Sequence, residues 1–302
     1  MKHIFVVNPK AGKINRVEDI KNQLKAYDGR IDYEIYPTKA IGDGISFVRE
    51  YLNSHSDKEI YRFYACGGDG TLNEVVAGAN GHSNVEVAVY ACGSGNDFIK
   101  NFGNGPEFRS IDALINGEGK KIDLIKVDNK VCVNIVSFGF DGEVTFAMHK
   151  FKRWPLVTGR MAYNLAAVTS LLFKMSASFK LEVDDEVVFD GRGLLAAVAN
   201  GHTYGGGFRC APEACVDDGI MDICLCKKIS RFKASSLMSL YKKGEHLTNP
   251  KFKDVIIYKK GKRVKITSTK PVAYQIDGET FRKNSLAIEI EPLAISFVIP
   301  KK

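Results

Sequence analysis

The feature that most constrains this 302-residue chain is a change of rhythm near Asp123. Before it, short β-rich runs alternate with helical patterns: strands at 4–7, 31–36, 60–65 and 85–91, helices at 17–24 and 45–52. Such alternation predicts an open, mainly parallel sheet with helices on both faces. Beyond it, strand-like runs follow one another at 124–127, 131–138, 178–183, 186–189, 193–199, 220–226, 254–258, 263–268 and 285–291, most of them separated by turn signals such as Asp128-Asn129. That succession predicts a β-sandwich. The expected class is α/β, with an open parallel-sheet domain over 1–123 and a β-rich domain over 124–291. A last strand in 292–302 closes one of the two, with a return to the first expected.

Three loops at the carboxyl ends of the early strands carry glycine. The third strand runs into Cys66-Gly67-Gly68-Asp69-Gly70-Thr71-Leu72-Asn73-Glu74, which opens a helix with apolar residues at 72, 75, 76 and 79. Glycine lets a ligand approach the main chain, and the amides of a helix start carry partial positive charge that suits phosphate. Thr71 and Glu74 stand at capping-box spacing. Asn8-Pro9-Lys10-Ala11-Gly12-Lys13 follows the first strand, and Cys92-Gly93-Ser94-Gly95-Asn96-Asp97-Phe98 the fourth. Open α/β sheets bind ligands at this end. Neither GxxxxGK[ST] nor a complete GxGxxG is present, so the loops point to a nucleotide site of neither common kind.

The β-rich part groups carboxylates around turns. Residues 211–222, with Asp217-Asp218-Gly219, offer hard oxygen ligands for a cation such as Mg²⁺, and Asp-Asp-Gly is equally an ordinary hairpin signal. Gln275-Ile276-Asp277-Gly278-Glu279 has the same two readings; Asp277 and Glu279 share a face if the strand stays extended. Asn200 to Phe208, with three consecutive glycines, predicts a loop.

Charge is distributed unevenly. Lys+Arg 43 against Asp+Glu 35 gives +8, yet residues 227–265 hold 13 Lys/Arg and two acids, a local +11 that leaves the remainder at −3. Such a stretch suits nucleic acid, an anionic membrane or a phosphorylated ligand, or is a solvated face. Known nucleic-acid-binding signatures are lacking, so no nucleic-acid partner is expected. No apolar run approaches the roughly 18–20 residues of a membrane span. Seven cysteines, several in apolar runs, fit a reducing compartment, so the cytoplasm is the expected location. Lys150, Lys152, Arg153, Trp154 and Arg160 lie beside an apolar stripe at 161, 165, 168 and 172. The segment suits a transient membrane contact as well as a helix covering the β-rich domain.

Taken in order, 8–13, Gly-Gly-Asp-Gly-Thr-Leu-Asn-Glu-Val at 67–75, Gly-Ser-Gly-Asn-Asp-Phe at 93–98, Gly-Phe-Asp-Gly-Glu-Val at 139–144, 200–208, 211–219 and Gln-Ile-Asp-Gly-Glu at 275–279 span almost the whole chain. Together they resemble the diacylglycerol kinase catalytic domain family, in its bacterial lipid-kinase branch with YegS-like and sphingosine-kinase-like proteins. The resemblance implies an NAD kinase/diacylglycerol kinase-like fold and transfer of the ATP γ-phosphoryl group to diacylglycerol, giving phosphatidic acid. The alternatives are another lipid acceptor (phosphatidylglycerol or a sphingoid base) and a non-catalytic ATP-binding regulator.

The resemblance places the nucleotide on Asn8, Pro9, Lys10, Ala11 and Gly12, on Thr38, on Gly67, Gly68, Asp69, Gly70, Thr71 and Glu74, and on Ser94, Asn96 and Asp97. Asp69 then acts through water and Mg²⁺ at the phosphates. Asp218 and the carbonyls of Cys215 and Ile220 hold a metal. Asp277 and Glu279 form the acidic catalytic pair, with Asp277 taking the hydroxyl proton. Two departures from the family text stand out: Gly42-Asp43-Gly44 where Gly-His-Ala is usual, and Ile99-Lys100 where Ala-Arg is usual. The implied partner is lipid at an anionic membrane surface, with the basic stretch facing it; a homodimer is left open.

Overall fold

The computed structural model describes residues 1–12, 14–103, 105–151 and 176–302. Cα proximity divides the chain into two units: Met1–Leu124 with Val216–Asp218 and Glu291–Lys302, and Ile125–Cys215 with Gly219–Ile290. Residues 216–218, far along the chain from the rest of the first unit, belong to it. The cause is local. The Asp123 amide donates to the Val216 carbonyl at 2.7 Å, and Lys120 pairs with Asp217 at 2.7 Å.

In the first unit, β1 (Lys2–Val7), β2 (Asp32–Pro37), β3 (Tyr61–Gly67) and β4 (Val85–Ala91) pair in parallel in the order β2-β1-β3-β4. Helices α1 (Arg16–Leu24), α2 (Asp43–Ser54) and α3 (Asp69–Ala79) connect them, and a short α4 (Ile111–Ile115) follows. The strands read as near-continuous apolar runs because a parallel sheet is covered on both faces; every residue of β3 is buried. Arg62, within it, is neutralised by Glu86 at 2.7 Å and donates to the carbonyls of Leu114 and Ile115. The terminal segment returns here: Ser296 and Phe297 pair in parallel with β4, and Phe297 stacks on Phe102. Buried Asp123 accepts the Leu293 amide at 2.7 Å, fixing that return.

The second unit begins within β5 (Glu118–Val127) and adds β6 (Lys130–Cys132), β7 (Ile135–Gly139), α5 (Phe140–Phe151), β8 (Ala177–Val183), β9 (Glu186–Ala199) and β10 (Met221–Lys227). Helix α6 (Arg231–Lys243), β11 (Ile256–Gly261), β12 (Arg263–Ile276) and β13 (Glu279–Ile299) complete the described elements. The β7–β9, β8–β9, β9–β10, β10–β11, β7–β12, β8–β12, β12–β13 and β5–β6 pairings are antiparallel. Strand β9 leaves β8 for β7 near residue 194, and β12 leaves β8 for β7 across a register shift between Thr267 and Val272. The four strands thereby surround a core that includes Phe138, Phe179, Leu181, Val198, Ile266 and Tyr274. Phe140, Val144, Leu237 and Tyr241, from α5 and α6, belong to a second cluster.

Several strand boundaries differ from the sequence reading: 124–127 begins at Glu118, and 285–291 extends over Glu279–Ile299. The run 131–138 breaks into β6 and β7, because residues 133–135 turn their amides onto Asp277. The runs 186–189 and 193–199 are one strand, and 263–268 continues to Ile276. Among the described residues no helix is long and apolar enough to cross a membrane. The basic and apolar segment from Lys152 to Leu172 lies outside the described residues.

Candidate active site

The three glycine loops converge through main-chain bonds. Asn8 donates its amide to the Cys66 carbonyl at 3.0 Å, and the amides of Cys92 and Gly93 both donate to the Gly67 carbonyl at 3.0 and 2.9 Å. Thr38 joins them through its amide, 2.8 Å from the Val7 carbonyl. The Asn8 side chain reaches the Thr71 hydroxyl at 3.5 Å and accepts the Lys10 amide at 3.0 Å. Two loops touch backbone to backbone: a Cβ added at Gly93 would stand 2.4 Å from the Gly68 Cα. No other residue fits that contact.

Helix α3 starts at this junction with no side-chain cap, so the amides of its first turn are available to an anion. Asp69 holds the neighbouring loop: its Oδ1 accepts the amides of Asp97 and Phe98 at 2.7 and 3.1 Å. Asp97 in turn pairs with Lys100. Asn96, at φ 48°, donates to the Gly93 carbonyl, and its buried Oδ1 has no hydrogen-bond partner among the described residues. Ser94, Pro9, Lys10, Gly12 and Gly70 are exposed around the junction, whereas Ala11 is buried.

Glu74 has a different job from the one read in the sequence. Thr71 and Glu74 do not form a capping box, because Gly68 is the N-cap and neither side chain caps it. Instead, the Glu74 carboxylate accepts the amides of Gly42 and Gly44 at 2.9 and 3.0 Å. It caps α2 from outside, where a negative charge meets the helix dipole. Both oxygens are engaged, so Glu74 supports the site rather than lining it. The departure Gly42-Asp43-Gly44 sits at this clamp.

Arg16 went unread in the sequence. A Cβ at Gly12, whose φ is +81°, would lie 2.8 Å from Arg16 Nη2 and 3.3 Å from the Cys92 carbonyl oxygen. The guanidinium therefore stands beside two of the loops, paired with Asp19 at 2.7 Å. The one available signal was a cation at the first position of α1, where the helix dipole favours acids.

In the second unit the two-residue turn Asp277-Gly278 joins β12 to β13, with φ of 45° and 95°. This is the left-handed hairpin geometry that Asp-Gly favours. The strand does not stay extended, so Asp277 and Glu279 do not share a strand face. The Asp277 carboxylate accepts the amides of Val133, Asn134 and Ile135 at 2.7, 3.1 and 3.0 Å, and the Cys132 thiol at 3.2 Å. A carboxylate has about four lone-pair sites, so these donors occupy most of its accepting capacity. Glu279, at the start of β13, is exposed, and its carboxylate makes no ion pair or hydrogen bond with another described residue.

The glycine-rich loop is tied to the same place. Asn200 donates to the Val133 carbonyl at 2.8 Å, and Asn134 donates to the Thr203 carbonyl at 2.9 Å. Gly205, Gly206 and Gly207 all have positive φ, and Tyr204 pairs with Phe208 across them. The Tyr204 hydroxyl donates to Asp141 at the start of α5. Burial raises the Asp141 carboxyl to about 6, against the hydrogen bond from Tyr204. The acid's affinity for its proton is thus higher in the folded state. Its stabilisation is complete below the ordinary carboxylate range and is lost as pH rises through about 6. Asp141→Asn is expected to flatten the decline of the melting temperature between pH 4 and pH 7 by about 3 kcal/mol of stability, as thermal melts across that range would measure.

The turn at 211–222 crosses the division of the chain: Val216–Asp218 lies in the first unit, Cys215 and Gly219–Ile290 in the second. Among the described residues no group of three or more His, Cys, Asp or Glu side chains could hold a metal. The proposed set of one carboxylate and two carbonyls is of another kind. Its oxygen chemistry fits Mg²⁺, which keeps several waters and takes few protein ligands.

Comparison with known proteins gives the family. Residues 134–299 match the family model of the YegS C-terminal NAD kinase beta sandwich-like domain, and residues 2–127 that of the diacylglycerol kinase catalytic domain. The chain belongs to this diacylglycerol kinase family of YegS type, a kinase family with an NAD kinase-like fold and a C-terminal β-sandwich-like domain. A diacylglycerol kinase of Staphylococcus epidermidis is 29% identical over 279 residues, covering 91% of this chain and 84% of its own. One from Staphylococcus aureus is 28% identical, covering 91% and 85%. The solved structure of a diacylglycerol kinase from Bacillus anthracis str. Sterne superposes with a TM-score of 0.70 at 20% identity, covering 98% and 96% of the two chains. An NAD kinase from Archaeoglobus fulgidus in complex with ATP reaches 0.50 at 13% identity, over 100% and 95%.

Proposed function

We propose that the protein is a lipid kinase that transfers the γ-phosphoryl group of ATP to the hydroxyl of diacylglycerol, giving phosphatidic acid and ADP. The observation that carries this reading is the uncapped start of α3, set where Gly68 and Gly93 meet, in a chain whose relatives are named diacylglycerol kinases. Phosphoryl transfer asks for positioning and charge neutralisation more than covalent help. The amides of α3, held in place by Asn8, Thr71 and Asp69, supply fixed dipoles for the phosphates. Arg16 adds a cation beside them. Mg²⁺, when bound, neutralises charge on the transferring group.

The acceptor oxygen forms a bond to the γ-phosphorus as the bond to the bridging oxygen of ADP breaks, and the hydroxyl proton must go to a base. The sequence reading gives that proton to Asp277. We assign it to Glu279, because the Asp277 carboxylate already accepts four donors and Glu279 accepts none among the described residues. Asp277 then fixes the turn that presents Glu279. The reaction is proposed to run in the cytoplasm, at a membrane surface.

Incubation with labelled ATP and separate vesicles of diacylglycerol, phosphatidylglycerol and a sphingoid base tests the reading. Label in phosphatidic acid alone is expected. Label in another lipid moves the assignment to that acceptor, and no label with normal ATP binding leaves a regulator. Glu279→Gln is expected to lower kcat by about 10²–10⁴-fold while ATP affinity stays within a few fold.

A further inference from the structure

The basic stretch of the second unit holds an apolar side chain that the fold does not bury. Phe232, in the first turn of α6, is 90% exposed. On the same helix Ala234, Leu237 and Tyr241 are buried, and Ile229 before it packs against the core cluster. The helix is therefore docked, and Phe232 stands on its outward face with Ser235, Ser236 and Ser239, all exposed. An isolated exposed phenylalanine needs no explanation by itself. Its surroundings supply one.

Lys228, Arg231 and Lys233 are exposed within four residues of it, and Lys227 is half-buried at the end of β10. The Lys228 amide donates to the Arg192 carbonyl at 3.0 Å, which brings the exposed residue Arg192 of β9 to the same place. Five basic residues thus lie in or beside the chain turn that carries Phe232. Cations with an exposed aromatic among them match a surface that is anionic at headgroup level and apolar just below it. A protein interface core, by contrast, is depleted in lysine.

We propose that the first turn of α6 is a membrane-docking element, with Phe232 entering the interface of an anionic bilayer and Arg192, Lys227, Lys228, Arg231 and Lys233 meeting the headgroups. This rests on the reading of the protein as a lipid kinase, but its test does not need turnover. The intact protein is sedimented with phosphatidylcholine vesicles, with or without 30% phosphatidylglycerol (about a third of the lipid). Binding is expected only to the anionic vesicles, falling steeply with salt. Phe232→Ala should weaken the partition coefficient about fivefold or more, and Phe232→Trp should restore it. Lys227→Glu with Lys228→Glu should weaken it at least tenfold. Because these side chains are not core, each variant should melt with the wild type.

Equal binding to both vesicle types, or unchanged binding by Phe232→Ala and by the double variant, overturns the proposal. A dimer that Phe232→Ala splits, with vesicle binding intact, would assign this face to a second copy of the chain. Retention of an RNA probe with no vesicle binding would assign it to nucleic acid. Activity on a short-chain, water-soluble diacylglycerol should survive Phe232→Ala. Its absence in the wild type would instead count against the lipid-kinase reading and leave the vesicle result standing.

Discussion

Asp277→Ala should abolish turnover and also lower the melting temperature of the protein, a pairing that a simple proton acceptor would not produce. The Asp277 carboxylate receives three main-chain amides from residues 133–135. Removing it leaves these donors without that acceptor, at about 1–3 kcal/mol for each group that stays buried. The expected cost is at least about 3 kcal/mol, or roughly 6–12 °C on a thermal melt. Turnover falls with it, because the turn that presents Glu279 loses its anchor. Glu279→Gln is the contrast: it should lose rate and keep its melting temperature. If Asp277→Ala melts with the wild type, the anchoring role is wrong; if Glu279→Gln keeps its kcat, the proton belongs elsewhere.

Gly93→Ala should weaken ATP binding by more than tenfold, measured by calorimetry. The added Cβ would stand 2.4 Å from the Gly68 Cα and 2.8 Å from its nitrogen, and these are backbone atoms that no rotamer can move aside. The two loops must separate, and the α3 amides lose the geometry that suits phosphate. Wild-type affinity in Gly93→Ala would show that the loop junction is not the nucleotide site.

The architecture was legible from the chain because its signals are short-range. Buried parallel strands read as apolar runs, and strand–helix alternation leaves few arrangements other than an open sheet. Strand ends were less legible. The break at 133–134 depends on a carboxylate more than 140 residues away, and the length of β12 depends on exchanging β8 for β7 partway along. The glycine loops were readable as a group, since glycine marks places where backbone must approach something closely. Which glycine meets which was not readable: the contact of Gly68 with Gly93 joins different loops.

The sequence by itself determined the class of fold, the three loops and the acidic turns, because periodicity and turn chemistry are properties of neighbouring residues. Only the tertiary structure decided what each carboxylate does. Glu74, spaced for a capping box, caps α2 across 32 residues; Asp69 holds the loop at 97–98; and Asp277 gathers amides from 133–135. The physical reason is the same for all three. A carboxylate takes its role from the donors around it, and here the folded chain brings those donors from distant segments.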